Sequence, residues 1–313
     1  MSNILAVFGA TGQQGGSVIA YVLNEPELSQ KYEIRAITRD VNSIKAKALK
    51  DKSEVDVVQG DALDRASLMT ALTGVHTIFA MTTPSFGEGS TEVEDKGAKN
   101  IADVAVEKGV EYIIFSTLPF VSEISGGKNI KVFPFDAKAK AAQYIRSLPI
   151  KSAFYCPGSF MQNFQAQPFL APRKAPDGSW VMARNTSPST QYPLVDAVGD
   201  TGKFVGAILA EPDKYEGKTF CAAQALYTLE EIVAIISKPT GETVLYKQIP
   251  DEDFKKTLPP PVADMLSEAF SFGEEFGYFG PDTEKLVAWA AENARGRLTT
   301  LEEYLEAHPL RLA

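Results

Sequence analysis

Short hydrophobic runs alternate with helical patterns through the first half of the chain. The runs are apolar at successive positions, which is typical of strands buried on both faces. Six strands are predicted, over residues 4–8, 33–38, 55–59, 76–80, 112–116 and 152–156. Strands of this kind, separated by helices, indicate an α/β protein with a doubly wound parallel sheet.

The intervening segments have helical periodicity. An amphipathic helix is predicted from the end of the first strand to about Asn24, and another over residues 136–147. In a third, over residues 92–108, Val93 and three later apolar residues fall on one face, with the stem of Lys108 able to cap it. These helices would cover the two faces of the sheet.

The second half of the chain has a different pattern. Prolines and loops interrupt residues 167–192, with signs of a short hairpin, and another helix is predicted over residues 262–272. Thr228 with Glu231, and Thr300 with Glu303, fit capping boxes that open helices. We therefore expect a sheet domain over residues 1–157 and a smaller mixed α/β lobe over 158–313, which closes a cleft and returns some segments to the sheet.

Glycines cluster directly after the first strand, in GATGQQGG at residues 9–16. Gly9 allows the turn, Gly12 lets the backbone approach a pyrophosphate, and Gly15 or Gly16 lets the helix pack on the strand. The free N–H groups at the helix start then face the phosphates. This context predicts a dinucleotide cradle. Its predicted contacts are Gly9, Thr11, Gly12, Gln13, Gln14 and Gly15.

The end of the second strand bears on which dinucleotide binds. A carboxylate there selects NAD, but this chain has Thr38 followed by Arg39. A guanidinium can bind a 2′-phosphate and stack on adenine, so the sequence favours NADP(H). Asp40 is expected to point away or to tether the loop. The alternative is a solvated surface pair of Arg39 with Asp40.

Two later strand ends add candidate contacts. Asp61 and Ala62, in GDALD, fall where the adenine edge would lie, although Asp61 could instead cap the helix beginning near Asp64. Thr82 and Thr83 begin the polar loop MTTPSFG after the fourth strand. Ligands collect at this carboxyl edge of an open parallel sheet.

Composition narrows the function classes. The 313 residues carry a net charge of −9, which argues against direct nucleic-acid binding. Two cysteines and two histidines supply neither a disulfide framework nor a metal site. Without an apolar run of membrane length or room for a signal peptide before the first strand, we expect a cytoplasmic protein with no membrane contact. Nothing in the sequence indicates the oligomeric state.

Several motifs together resemble the NmrA-like proteins, atypical members of the short-chain dehydrogenase/reductase superfamily. They are FGATGQQGGSV, ITRD, GDALD, FDAKAKAAQYI, PGSFMQNF and YPLVDAVGDTGKFVGAILAEPDKYEGKTF. The resemblance covers most of the chain. It implies a Rossmann-type domain, a small C-terminal lobe and NADP(H) between them. Members of this family include regulators that bind a transcription factor, redox sensors and reductases of small molecules.

The superfamily's Tyr-x-x-x-Lys pair is incomplete. None of the eleven tyrosines has lysine four positions later. The resemblance places Lys138 at the lysine position and Pro134 at that of the tyrosine, the usual proton donor. Lys138 would still hold the nicotinamide ribose, unless it is a surface lysine. A reductase would then need Lys138 itself, Ser116, Thr117 or water as the proton donor.

The resemblance also places residues of YCPGSFMQNF beside the nicotinamide. They are Tyr155, Pro157, Gly158 and Phe160, with Asn163 nearby. Met161 and Phe164 are better explained as core. The aromatic-rich segment 270–280 could line an apolar substrate pocket or pack the lobe.

Two functions remain open at this stage. The favoured one is an NADPH-dependent reductase of a small apolar carbonyl, imine or enone compound. The alternative is an NADP(H) sensor without turnover, which acts through a regulatory protein partner and would also be found in the nucleus. The missing tyrosine favours the second hypothesis and the cofactor cleft the first.

Overall fold

The computed structural model describes residues 2–51, 54–83 and 90–312. The predicted loop MTTPSFG is therefore described only as far as Thr83, and residues 84–87 of it lie outside the described part.

The described strands form one large and two small sheets. They are β1 (Asn3–Val7), β2 (Tyr32–Thr38), β3 (Val55–Gln59), β4 (Thr77–Ala80), β5 (Tyr112–Ser116), β6 (Lys151–Pro157), β7 (Ser159–Phe160), β8 (Arg173–Lys174), β9 (Trp180–Arg184), β10 (Gln191–Val195), β11 (Thr219–Ala222), β12 (Ala225–Thr228) and β13 (Val244–Gln248). Seven of them form a parallel sheet in the order β11-β6-β5-β4-β1-β2-β3. The six predicted strands are confirmed to within one residue at each end, and the predicted α/β fold with them.

The described helices are α1 (Gln13–Asn24), α2 (Pro26–Lys31), α3 (Ile44–Lys50), α4 (Arg65–Ala71), α5 (Ser90–Glu107), α6 (Val121–Ile124), α7 (Phe133–Ser147), α8 (Asn163–Ala166), α9 (Thr201–Ala210), α10 (Pro212–Tyr215), α11 (Leu229–Thr240), α12 (Asp251–Lys256), α13 (Ala263–Phe276), α14 (Thr283–Asn293) and α15 (Leu301–Ala307). None of them is both long and apolar enough to cross a bilayer.

Helices cover both faces of the large sheet. On one face, α1 and α9 pack closely because Gly202 and Gly206 lie against Tyr21, where an added Cβ would come within 2.3 and 2.4 Å of that side chain. On the other face, α4, α5 and α7 bury a second apolar cluster. Strands buried on both sides explain the continuous hydrophobic runs in the sequence.

The start of α5 differs from the prediction. Val93 is 45% exposed, whereas the neighbouring Glu94 is buried. Glu94 lies four residues before the buried Ala98, so the two share a helix face. The buried face of α5 therefore includes a carboxylate. Its partner is Lys138, which is described with the functional site below.

The second half of the chain contributes to both parts of the molecule. β11 extends the large sheet next to β6, while β12-β10-β7 and β13-β9-β8 form two small sheets. The predicted hairpin is confirmed as the antiparallel pair β8–β9, and both predicted capping boxes are present. The lobe has its own core, with Trp180, Ile236 and Tyr304 among its members. The boundary at residue 157 stays a prediction.

Candidate functional site

The glycine loop leaves the start of α1 open. Gly9 has a φ of +62°, and the Gly12 N–H donates to the Gly9 carbonyl at 2.8 Å. Gly12 is the N-cap of α1 and supplies no side chain to its first turn. First-turn N–H groups with no intrahelical partner lie at the positive end of the helix. The loop can therefore receive an anion.

Gly15 is the third glycine of the motif. A Cβ on Gly15 would lie 2.4 Å from the Gly9 carbonyl oxygen and 2.8 Å from that of Phe8, whereas on Gly16 it would have only an ordinary 3.6 Å contact. The alternative left open by the sequence is thereby decided: Gly15 permits the close packing of α1 on the loop.

The predicted contact residues lie along one edge of the sheet. Because all seven strands are parallel, the segments that follow them meet at the carboxyl edge. Along that edge, Asp61 follows β3, Arg39 follows β2, the glycine loop follows β1, Thr82 follows β4 and Ser116 ends β5. The order of strands reverses at β1–β4, so the glycine loop lies at the topological switch point.

Arg39 is exposed at this edge, and Asp40 does not neutralise it. The Asp40 carboxylate accepts from the Asn42 N–H at 2.8 Å, which confirms that Asp40 tethers the loop. Within the described residues no ion pair of Arg39 forms, so the surface pair with Asp40 is not found. The guanidinium is available to a ligand.

Asp61 does not cap the following helix. Asp64 is the N-cap of α4 and accepts from the N–H groups of Ala66 and Ser67, whereas Asp61 accepts from the Leu63 N–H at 2.9 Å within the turn. That alternative is wrong because the N-cap position of α4 belongs to Asp64, three residues after Asp61. Asp61 and Ala62 are half-buried at the sheet edge, and their contact with adenine stays a prediction.

Lys138 lies in a buried polar cluster with Thr82 and Glu94. Its Nζ donates to the Thr82 carbonyl at 2.7 Å, to Thr82 Oγ1 at 2.8 Å and to Glu94 Oε1 at 2.6 Å. The Thr82 hydroxyl donates in turn to Glu94 Oε1 at 2.6 Å. Thr83, by contrast, is exposed.

The cluster rules out a surface role for Lys138. Its side chain is 8% exposed and that of Glu94 is 3% exposed. Burial lowers the pKa of Lys138, and the Glu94 carboxylate opposes that effect. All three N–H bonds of the ammonium are used within the protein. A bond to a ribose hydroxyl would have to replace one of them.

A cavity of about 370 Å³ lies between the sheet edge and the lobe. Its lining is mostly apolar and aromatic. From residues 1–157 it includes Gln14, Thr82, Ser116, Thr117, Pro134, Phe135, Lys138 and Pro157. From the lobe it includes Gly158, Phe160, Tyr192, Met265, Leu266, Phe270, Phe272 and Tyr278. The cavity thus joins the glycine loop to an apolar chamber.

The alternative proton donors on β5 are already engaged. The Ser116 hydroxyl donates to Gln14 Oε1 at 2.7 Å, and the Thr117 hydroxyl donates to the Lys138 carbonyl at 3.1 Å. Pro134 lies in the first turn of α7 and faces the cavity without a titratable group. The Ser116 and Thr117 hydroxyls are therefore each held by a hydrogen bond within the protein.

The prediction that Tyr155 lies beside the nicotinamide is wrong. Its side chain is fully buried on the opposite side of the sheet, where its ring packs 6.1 Å from that of Phe204 and its hydroxyl hydrogen-bonds Thr201 at 2.9 Å. Strand alternation sends Tyr155 to the face covered by α9 and Phe154 to the other face. Pro157, the last residue of β6, and Gly158, which follows it, do line the cavity.

The aromatic segment 270–280 both lines the cavity and packs the lobe, which are the two roles considered from the sequence. Phe270, Phe272 and Tyr278 line the cavity, whereas Phe279 is core. Met161 is buried and Phe164 packs against the same cluster, as predicted.

Sequence reasoning missed Glu94 and Tyr192. Glu94 lies in a run of charged residues that is typical of a solvated face, and Tyr192 had no local signal.

The sheet order, the glycine loop at the switch point and the chamber under the lobe define a Rossmann-fold protein whose ligand cleft is closed by a C-terminal lobe. The chain belongs to the NmrA-like family, because the model of that family matches residues 1–305.

Two relatives agree with this assignment, and a solved structure agrees with the fold. An NmrA-like family domain-containing protein of Dictyostelium discoideum is 30% identical over 98% of each chain. The NmrA-like family domain-containing oxidoreductase hkm9 of Aspergillus hancockii is 25% identical over 94% of this chain and 90% of its own. NmrA, a negative transcriptional regulator solved in complex with NADP, superposes with a TM-score of 0.80 at 22% identity, over 97% of this chain and 94% of that chain. NmrA has also been solved with NAD.

Proposed function

We propose that this protein is an NADPH-dependent reductase of small, uncharged and mostly apolar compounds that contain a carbonyl, imine or enone group. The observation that carries the proposal is the aromatic-lined chamber that opens directly onto the dinucleotide edge of the sheet. An apolar pocket with a few convergent polar groups is the usual form of a small-molecule site. The relative from A. hancockii is named an oxidoreductase.

The residues at the sheet edge fit a dinucleotide. A Cβ on Gly15 would lie 2.4 Å from the Gly9 carbonyl oxygen, which excludes a side chain there, and one on Gly12 would make a tight contact of 3.2 Å with the same oxygen. The first turn of α1 and the Arg39 guanidinium would hold the pyrophosphate and the 2′-phosphate. When bound, reduced nicotinamide supplies a hydride. The surrounding chamber excludes water and presents the substrate to that ring.

The test is NADPH consumption with a panel of aromatic ketones, enones and cyclic imines, with Lys138→Ala as the comparison. Lys138→Ala removes the cation beside the chamber and leaves Glu94 buried alone, so we expect a loss of activity with at least one productive substrate. Saturable NADPH binding by the wild type without turnover on any compound would reject the reductase.

A second function is favoured by one observation. Pro134 replaces the usual acid, and the donors of Lys138, Ser116 and Thr117 are engaged within the protein. A sensor without turnover needs no proton donor, and NmrA, a transcriptional regulator, has been solved with NADP. The sensor hypothesis predicts a protein partner captured with NADP⁺ and not with NADPH, or the reverse. Equal capture with both forms counts against it.

A further inference from the structure

Tyr278 brings a hydroxyl to the wall of the cavity where the superfamily's tyrosine is missing. It lies in the connection between α13 and α14, more than a hundred residues after Pro134. Its ring meets that of Phe135 edge-on, with centroids 5.9 Å apart, and Phe135 directly follows Pro134. The lobe therefore reaches the first turn of α7.

Two further contacts fix the position of this ring. It packs against the cluster containing Cys156, at the end of β6 and one residue before Pro157. It also meets Tyr192 edge-on at 6.0 Å and Phe279 at 4.9 Å. Phe135, Cys156 and Tyr192 thus surround Tyr278 beside two of the predicted nicotinamide contacts, Pro157 and Gly158.

Tyr278 and Tyr192 both line the cavity, and neither hydroxyl has a hydrogen-bond partner among the described residues. Of the two, Tyr278 is the one whose ring meets Phe135, next to Pro134. The Tyr278 side chain is half-buried and lines the cavity. The phenol of a tyrosine carries its proton at neutral pH because its usual pKa is about 10, and burial raises the pKa of Tyr278 further. Ser116, Thr117 and Lys138 have no such free donor.

The geometry points to Tyr278 as the proton donor of the reductase, reached from the lobe instead of from α7. This inference rests on the proposed function. In the step, the carbonyl carbon receives a hydride, with its two electrons, from reduced nicotinamide, and the C=O π bond breaks. The oxygen takes the phenolic proton, giving an alcohol. Solvent returns a proton to the Tyr278 oxygen after the product leaves.

The test compares Tyr278→Phe with two matched variants. Tyr192→Phe removes a different cavity hydroxyl, and Tyr144→Phe removes one that donates to Asp103 of α5 and is not among the residues that line the cavity. Each keeps its ring, so folding should be retained. With a substrate found in the panel above, Tyr278→Phe should lower kcat by about 10²–10³-fold, the usual cost of losing a general acid. Tyr144→Phe should match the wild type, and Tyr192→Phe should change KM more than kcat.

A second readout needs neither cofactor nor turnover. The infrared carbonyl stretch of acetophenone bound to the protein without nucleotide should shift to lower frequency in the wild type and in Tyr192→Phe, and the shift should disappear in Tyr278→Phe. Wild-type turnover with an unaffected Tyr278→Phe variant overturns the inference and leaves the reductase standing. If the wild type shows no turnover, the proposed reductase function is wrong. In that case, an infrared shift that is absent from the wild type, or that is the same in Tyr278→Phe as in the wild type, also rejects Tyr278 as a donor.

Discussion

Replacing Glu94 by Gln should expose how strongly the buried cluster depends on charge. The substitution keeps the size of the side chain and leaves the Lys138 ammonium, 8% exposed, without its anion at 2.6 Å. Removing one partner of a buried ion pair typically costs about 3–5 kcal/mol. In the variant, Lys138 can lose its proton and become neutral, which removes the unpaired charge. Deprotonating a lysine whose usual pKa is about 10.4 costs about 4.6 kcal/mol at pH 7, so the electrostatic cost of the substitution cannot exceed that value.

We therefore expect Glu94→Gln to lower the free energy of unfolding by about 3–4.6 kcal/mol at pH 7. Urea unfolding followed by far-UV circular dichroism measures this difference. The exposed Glu92, two residues earlier on α5, gives the matched control Glu92→Gln, which should stay within about 0.5 kcal/mol of the wild type.

The difference in the free energy of unfolding between Glu94→Gln and the wild type should also depend on pH, and the direction of that dependence follows from the pKa of Lys138. In Glu94→Gln the folded-state pKa of Lys138 lies further below its unfolded value, so the unfolded chain binds more protons in that window. Stability relative to the wild type should then rise as the pH increases from 7 to about 10. A deficit below about 1 kcal/mol at pH 7, or one unchanged by pH 10, would refute the buried-pair explanation.

Three further predictions test other parts of the structure. Arg39→Ala should weaken NADPH binding by about 10–150-fold, the value of one or two charge-assisted hydrogen bonds, and leave NADH binding nearly unchanged in fluorescence titrations; equal losses for both would reject its role. Gly15→Ala should cost at least about 2 kcal/mol and abolish NADPH binding, whereas Gly16→Ala should be tolerated within about 1 kcal/mol, and identical unfolding curves for the two would contradict the packing at Gly15. Burial raises the pKa of Tyr32 to about 12, so the folded form retains its proton longer than the unfolded chain and stability should fall by about 1.4 kcal/mol per pH unit between about 10 and 12 from this group. Tyr32→Phe should remove that part of the fall, and an equally steep decline in the variant would show that another group causes it.

Local sequence signals were enough to predict the parallel sheet, the glycine cradle and the helix starts. Each depends on signals within a short stretch: a continuous apolar run, glycines that a neighbouring carbonyl would otherwise exclude, or Thr228 three residues before Glu231. Such local rules act before any distant contact forms. Parallel strands then require the segments that follow them to share one edge, so the row of candidate contacts was predictable too.

Only the tertiary structure decided what those contacts do. Glu94 pairs with Lys138 from 44 residues away, and a lone carboxylate in a charged run has no pattern that identifies its partner. Tyr155 and Pro157 are two residues apart on β6, yet Tyr155 is core, whereas Pro157, at the carboxyl end of the strand, lines the cavity. Tyr278 arrives from the far end of the chain. These arrangements come from packing between distant segments, where the burial of one group depends on the position of all the others.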